Sequence, residues 1–116
     1  MLSTASDLVR FGMALGAGKL LQPSTIKKLQ TPQPLTSGTD TEYGLGWNLE
    51  TVELNGRPTL LASHASRTIE GASTSFFTFP ELGLVVAVTS NMSFAAMRSI
   101  SWPVAKAFAA ASRGRK

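Results

Sequence analysis

Hydrophobic positions divide the chain into helical stripes near its ends and strand-like runs between them. Leu8, Phe11 and Leu15 recur at spacings of three and four, the stripe of a helix that buries one face. Thr4-Ala5-Ser6-Asp7 resembles a capping box with Asp in place of Glu, and Gly16-Ala17-Gly18 supplies a stop. A helix is expected over 1–15. A second, shorter helix is expected over 23–30, because Pro23 suits a first turn whose N–H has no partner. Ile26 and Leu29 face inward there, and Pro32 and Pro34 end it. A polar connection follows over 36–41.

The middle of the chain changes period. Tyr43-Gly44-Leu45-Gly46-Trp47 opens a strand, and its two glycines predict a bulge or a close backbone approach. Trp47 and Leu49 share one alternation phase, whereas Val52 and Leu54 share the other, which predicts a bulge or strong twist between them. Asn55-Gly56 predicts a type I′ hairpin turn, since both central residues need positive φ. The return strand is expected over 57–65, with Pro58 placing the hairpin tip toward an edge. Phe76, Phe77 and Phe79 mark a third strand. The run of Leu84, Val85, Val86, Ala87 and Val88 reads as a fourth, buried on both faces. Pro80-Glu81-Leu82-Gly83 supplies the turn between them. Met97, Ile100, Val104 and Phe108 form the stripe of a C-terminal helix over 93–111, with Pro103 predicting a kink or an early end near Trp102. The expected architecture is α+β. About four antiparallel strands in two hairpins carry two N-terminal helices and one C-terminal helix.

Composition narrows the classes. With 116 residues and 43% hydrophobic content the chain is expected to form one globular domain, 1–116. It has no cysteine, which excludes disulfides, thiol catalysis and thiolate zinc sites. One histidine argues against a histidine-rich metal site, so no metal or cofactor is expected. No apolar run is long enough for a membrane span. The net charge of +4 is concentrated in a basic tail, 112–116, where Arg113, Arg115 and Lys116 lie. The body is near neutral, and without a basic face bearing interleaved aromatics no nucleic-acid partner is expected.

Two places offer chemistry. Ser24-Thr25-Ile26-Lys27 has the Ser-x-x-Lys spacing that puts a lysine one helical turn from a nucleophilic hydroxyl. Serine at a helix start is also a routine cap, and Lys27 with Lys28 makes an ordinary solvated face. His64 is the only histidine. It stands near a strand end among Ser63, Ala65 and Ser66, with Gly71 following. A lone histidine is more often structural than catalytic, but small neighbours suit the wall of a cleft.

Taken in order, "STASDL", "FG", "YGLGW", a histidine on a strand and "FPELGLVVAVTSN" before a final helix resemble a known family. They are similar to the C-terminal third of the serine β-lactamase-like hydrolases. That family includes class C β-lactamases, related esterases, D-aminopeptidases and penicillin-binding-protein-like enzymes. The resemblance spans roughly 2–111. It implies a β-lactamase-like fold in which a strand carries a Lys-Thr-Gly or His-x-Gly triplet along the active-site edge. The matching triplet is His64-Ala65-Ser66, with Ser66 in place of glycine. By that resemblance His64 supplies donor or positive character, Ala65 and Ser66 line the cleft, and the Arg67 backbone N–H is an oxyanion donor. Such donors contribute about 3 kcal/mol each to a tetrahedral transition state. The family's nucleophile motif and its Tyr-x-Asn-like motif belong before "STASDL". The expectation is therefore a C-terminal fragment with no nucleophile, inactive alone. Its intact form would hydrolyse a small ester, amide or β-lactam through an acyl-enzyme. Apolar surface left exposed would favour self-association. The alternative is a non-catalytic α+β module that binds a ligand or partner.

Overall fold

A computed structural model describes residues 2–67 and 71–113. Helix α1 covers Ala5–Gly16, α2 Pro23–Leu29 and α3 Met97–Arg113. Strands β1 (Asn48–Leu54), β2 (Arg57–Arg67), β3 (Ser73–Phe79) and β4 (Leu84–Ser90) form one antiparallel sheet in the order β1-β2-β3-β4. The α+β architecture with three helices and four antiparallel strands is the one expected. Met1, residues 68–70 and the tail from 114 onward lie outside the described residues, so most of the basic tail does too.

The turns follow their chemistry. Asn55 and Gly56 have φ of 53° and 73°, as a type I′ turn requires. Pro80–Leu82 make a single 3₁₀ turn closed by Gly83 at φ 59°. Thr4 caps α1 by accepting a hydrogen bond from the Asp7 N–H at 3.1 Å, so the helix starts after Thr4.

Alternate residues of the sheet serve different cores, one on each face. Leu54, Leu61, Phe77, Phe79 and Val86 pack with Ala105 and Ala109 of α3. Ala62, Phe76, Leu49 and Trp47 pack with Leu15 of α1. This explains the phase change in β1. The register runs unbroken from Asn48 opposite Ser63 to Leu54 opposite Arg57, with no bulge. Leu49 faces the α1 layer, whereas Val52 and Leu54 face the α3 layer. The strand needs apolar residues in both phases because each face is covered along part of its length.

Three further expectations are corrected. The strand buried on both faces is β3, which lies between β2 and β4; β4 is an edge strand and largely half-buried. Of the α1 stripe, Leu15 is buried and Leu8 half-buried, but Phe11 is 47% exposed rather than buried. Helix α3 runs through Pro103 and buries Met97, Ser101, Ala105 and Ala109, while Ile100, Val104 and Phe108 stay exposed. Small residues at every fourth position let the helix sit close to a sheet face already filled by Phe77 and Phe79. Larger side chains there would hold it away.

Serine hydroxyls hold the start of α3 to β3. Ser73 Oγ donates to the Met92 carbonyl at 2.8 Å and accepts from the Ala95 N–H at 3.1 Å. Ser101 Oγ donates to Ser75 Oγ at 2.9 Å, with both residues buried. Removing one hydroxyl of a buried pair strands the other, at about 1–3 kcal/mol. Ser101→Ala is therefore expected to lower stability by about 1–2 kcal/mol. Adding Ser75→Ala should cost less than its own single-variant loss. Urea midpoints for the double-mutant cycle check this, and strictly additive losses would show that the two hydroxyls do not depend on each other.

Candidate functional site

His64 lies in β2 opposite Phe76 of β3. Its neighbour β1 pairs no further than Ser63, so over 64–67 the second edge of β2 has no strand partner among the described residues. In an antiparallel strand, alternate residues turn both N–H and C=O toward the same edge. Half of the peptide groups from 64 to 67 therefore face that open edge. This arrangement of backbone donors beside a histidine comes from strand geometry alone. Arg67 is the last residue of β2 and pairs with Ser73.

The His64 ring is held by the loop that leads into β1. Its Nδ1 lies 3.0 Å from the Gly46 carbonyl oxygen. A carbonyl can only accept, so the proton is on Nδ1, and in the neutral ring Nε2 keeps a free lone pair. The ring can thus accept a proton at Nε2, or donate from it once charged. Gly46 has φ of +85°, a conformation that suits glycine and aims its carbonyl at the ring. Gly44 serves a different purpose. A Cβ there would collide with the Leu29 carbonyl oxygen, which accepts the Leu45 N–H at 2.9 Å. The two glycines of "YGLGW" thus answer to separate constraints: close packing on α2 at one, backbone conformation at the other.

His64 borders a cleft of about 370 Å³ between the C-terminal half of β2 and α1. Ser66 and Thr74 add hydroxyls. Trp47 and Phe76 form an apolar floor, and Leu8 with Phe11 the wall supplied by α1. His64 and Ser66 share the face of β2 that carries Ala62, and so they meet in the cleft. Strand alternation turns Ala65 to the opposite face, and it does not line the cleft. Ser24 and Lys27 are exposed on α2, away from its lining. Among the described residues no group of three or more His, Cys, Asp or Glu could hold a metal ion. The wall from α1 and the bond to Gly46 were not anticipated from sequence. The only available signal was the two-glycine motif, which announced a special backbone without naming its partner.

In a comparison with protein families, the Beta-lactamase family model matches residues 1–111. The chain belongs to the Beta-lactamase family. Membership places it with hydrolases of the serine type and points to a small-molecule substrate. No curated protein matches the chain. No helix among the described residues is long and apolar enough to cross a membrane.

Proposed function

We propose that this member of the Beta-lactamase family forms one wall of an acyl-enzyme active site, and that its nucleophile comes from polypeptide outside these 116 residues. The observation that carries the reading is the His64 ring, fixed by Gly46 with Nε2 left over, beside an open strand edge and a cleft. In the reaction a serine hydroxyl attacks the carbonyl carbon of an ester, amide or β-lactam. Its proton passes to a base of the same site. The tetrahedral oxyanion accepts hydrogen bonds from backbone N–H groups of the 64–67 edge, the Arg67 N–H being the donor implied by family resemblance. The carbonyl re-forms as the leaving group departs with a proton, and water then releases the acyl group by the same route. His64 holds or donates a proton at Nε2 beside the developing charge. Ser66 places a hydroxyl where a family glycine would leave space, and thereby narrows the cleft. Self-association through Ile100, Val104 and Phe108 of α3 belongs to the same proposal, since that face is exposed.

Ser24 takes no part in the proposed chemistry. With p-nitrophenyl acetate and a chromogenic cephalosporin, the 116-residue chain alone is expected to give only background hydrolysis. In the polypeptide or complex that supplies the nucleophile, His64→Ala is expected to lower kcat by roughly a hundredfold. Turnover by the chain alone that disappears with Ser24→Ala would overturn the proposal.

A further inference from the structure

The cleft beside His64 contains an array of three aromatic rings. The Trp47 and Phe76 ring centroids are 5.8 Å apart at 36°, and those of Phe76 and Phe11 6.2 Å apart at 41°. Trp47 and Phe76 are buried, whereas Phe11 is 47% exposed. The array therefore ends in a half-open ring on the cleft wall rather than in a closed core. A phenylalanine left half in water on a helix whose Leu15 is fully packed presents aromatic surface to whatever fills the cleft. Ring pairs at these separations and tilts are favourable, and another ring can extend the series. Space is sufficient: about 150 Å³ accommodates benzene, and the cleft holds about 370 Å³. The polar groups, His64, Ser66 and Thr74, lie on the strand side of the cleft, opposite the Phe11 wall. A ligand must accordingly have a polar end toward β2 and a ring toward α1.

We propose that the cleft is an aryl subsite: the preferred substrate is an ester or amide with a neutral aromatic group beside its scissile carbonyl, and Phe11 determines that preference. The inference rests on the acyl-transfer reading for the role of the cleft, but its binding test needs no nucleophile. The chain has two tryptophans, and Trp102 packs on the α3 side, so Trp102→Phe leaves Trp47 as the reporter. Phenylacetamide and acetamide share the amide and differ in the ring. Saturable change of Trp47 emission by phenylacetamide is expected, with affinity at least tenfold above that of acetamide. Phe11→Ala should weaken it at least fivefold, and Phe11→Tyr should retain it. Phe11→Leu, close in volume but without a ring, gives the same comparison if the alanine variant does not fold. No saturable change, equal affinity for the two amides, or full affinity in the ring-less variant would overturn the aryl subsite. Its loss alongside intact His64-dependent turnover would leave the acyl-transfer reading standing. Ring-selective binding with turnover indifferent to His64→Ala would support the subsite and remove that reading.

Discussion

Gly44→Ala is expected to lower the melting temperature by roughly 12 °C, whereas Gly46→Ala, two residues on, should lower it by roughly 4–8 °C. The difference lies in what each new methyl group meets. At residue 44 it collides with the Leu29 carbonyl oxygen, and Leu49 Cδ1 is 3.2 Å away. Backbone cannot move aside as a side-chain tip can. The Leu45 N–H bonds that same carbonyl at 2.9 Å, and the Gly44 N–H bonds the Trp47 carbonyl at 2.8 Å, so relief of the clash breaks one of them. A cost of about 3 kcal/mol is the upper range for overpacking. At residue 46 nothing lies within 4 Å of the new methyl, and the penalty is that of a left-handed backbone at φ +85°, about 1–2 kcal/mol. Thermal melts of the two variants under one buffer decide the matter. Equal losses would mean that the approach of the loop to α2 is not the constraint.

Phe79→Ala is expected to cost about 3–5 kcal/mol. Phe79 is fully buried and meets Phe77 edge-on with centroids 6.3 Å apart. Around it are Leu54, Leu61, Val86 and the two alanines of α3. Alanines cannot reach into the space that a lost ring leaves, so the cavity stays open and the full penalty applies. Against a typical total of about 5–15 kcal/mol this loss endangers folding itself. Urea unfolding at 25 °C measures it, and a loss below about 2 kcal/mol would show that α3 closes the gap.

Local chemistry was legible in the sequence wherever one residue type decides a backbone shape. Asn55-Gly56, the Pro80–Gly83 turn and the Thr4 cap all formed as their residues require. Misreadings arose where a third element decides. Ile100, Val104 and Phe108 are more hydrophobic than Ser101, Ala105 and Ala109, yet the smaller set is buried. Hydrophobicity alone does not encode the closeness of approach that the rings of β3 impose. The continuous run in β4 suggested a central strand, but sheet order depends on pairing partners that a local run does not specify. At the candidate site, His64, Ala65 and Ser66 stood out together near a strand end. Their partners Gly46 and Phe11 did not, because they lie 18 and 53 residues from His64 in the chain and meet it only after the loop and α1 have docked. Alternation along β2 likewise separates Ala65 from its two neighbours, a distinction that a triplet read as a unit conceals.

Phe76 and Phe77 are adjacent in β3 but belong to opposite cores. Departure of α1 would uncover the first and leave the second packed; departure of α3 would do the reverse. Opening of either helix layer would therefore leave the central ladder in place, whereas every strand of the sheet carries residues of both cores and ties the two together. Coupling between the two cores then passes through the sheet, where β3, the strand buried on both faces, gives a phenylalanine to each. The cleft wall contributed by α1 would leave with that helix, and the His64 edge would stay with the sheet.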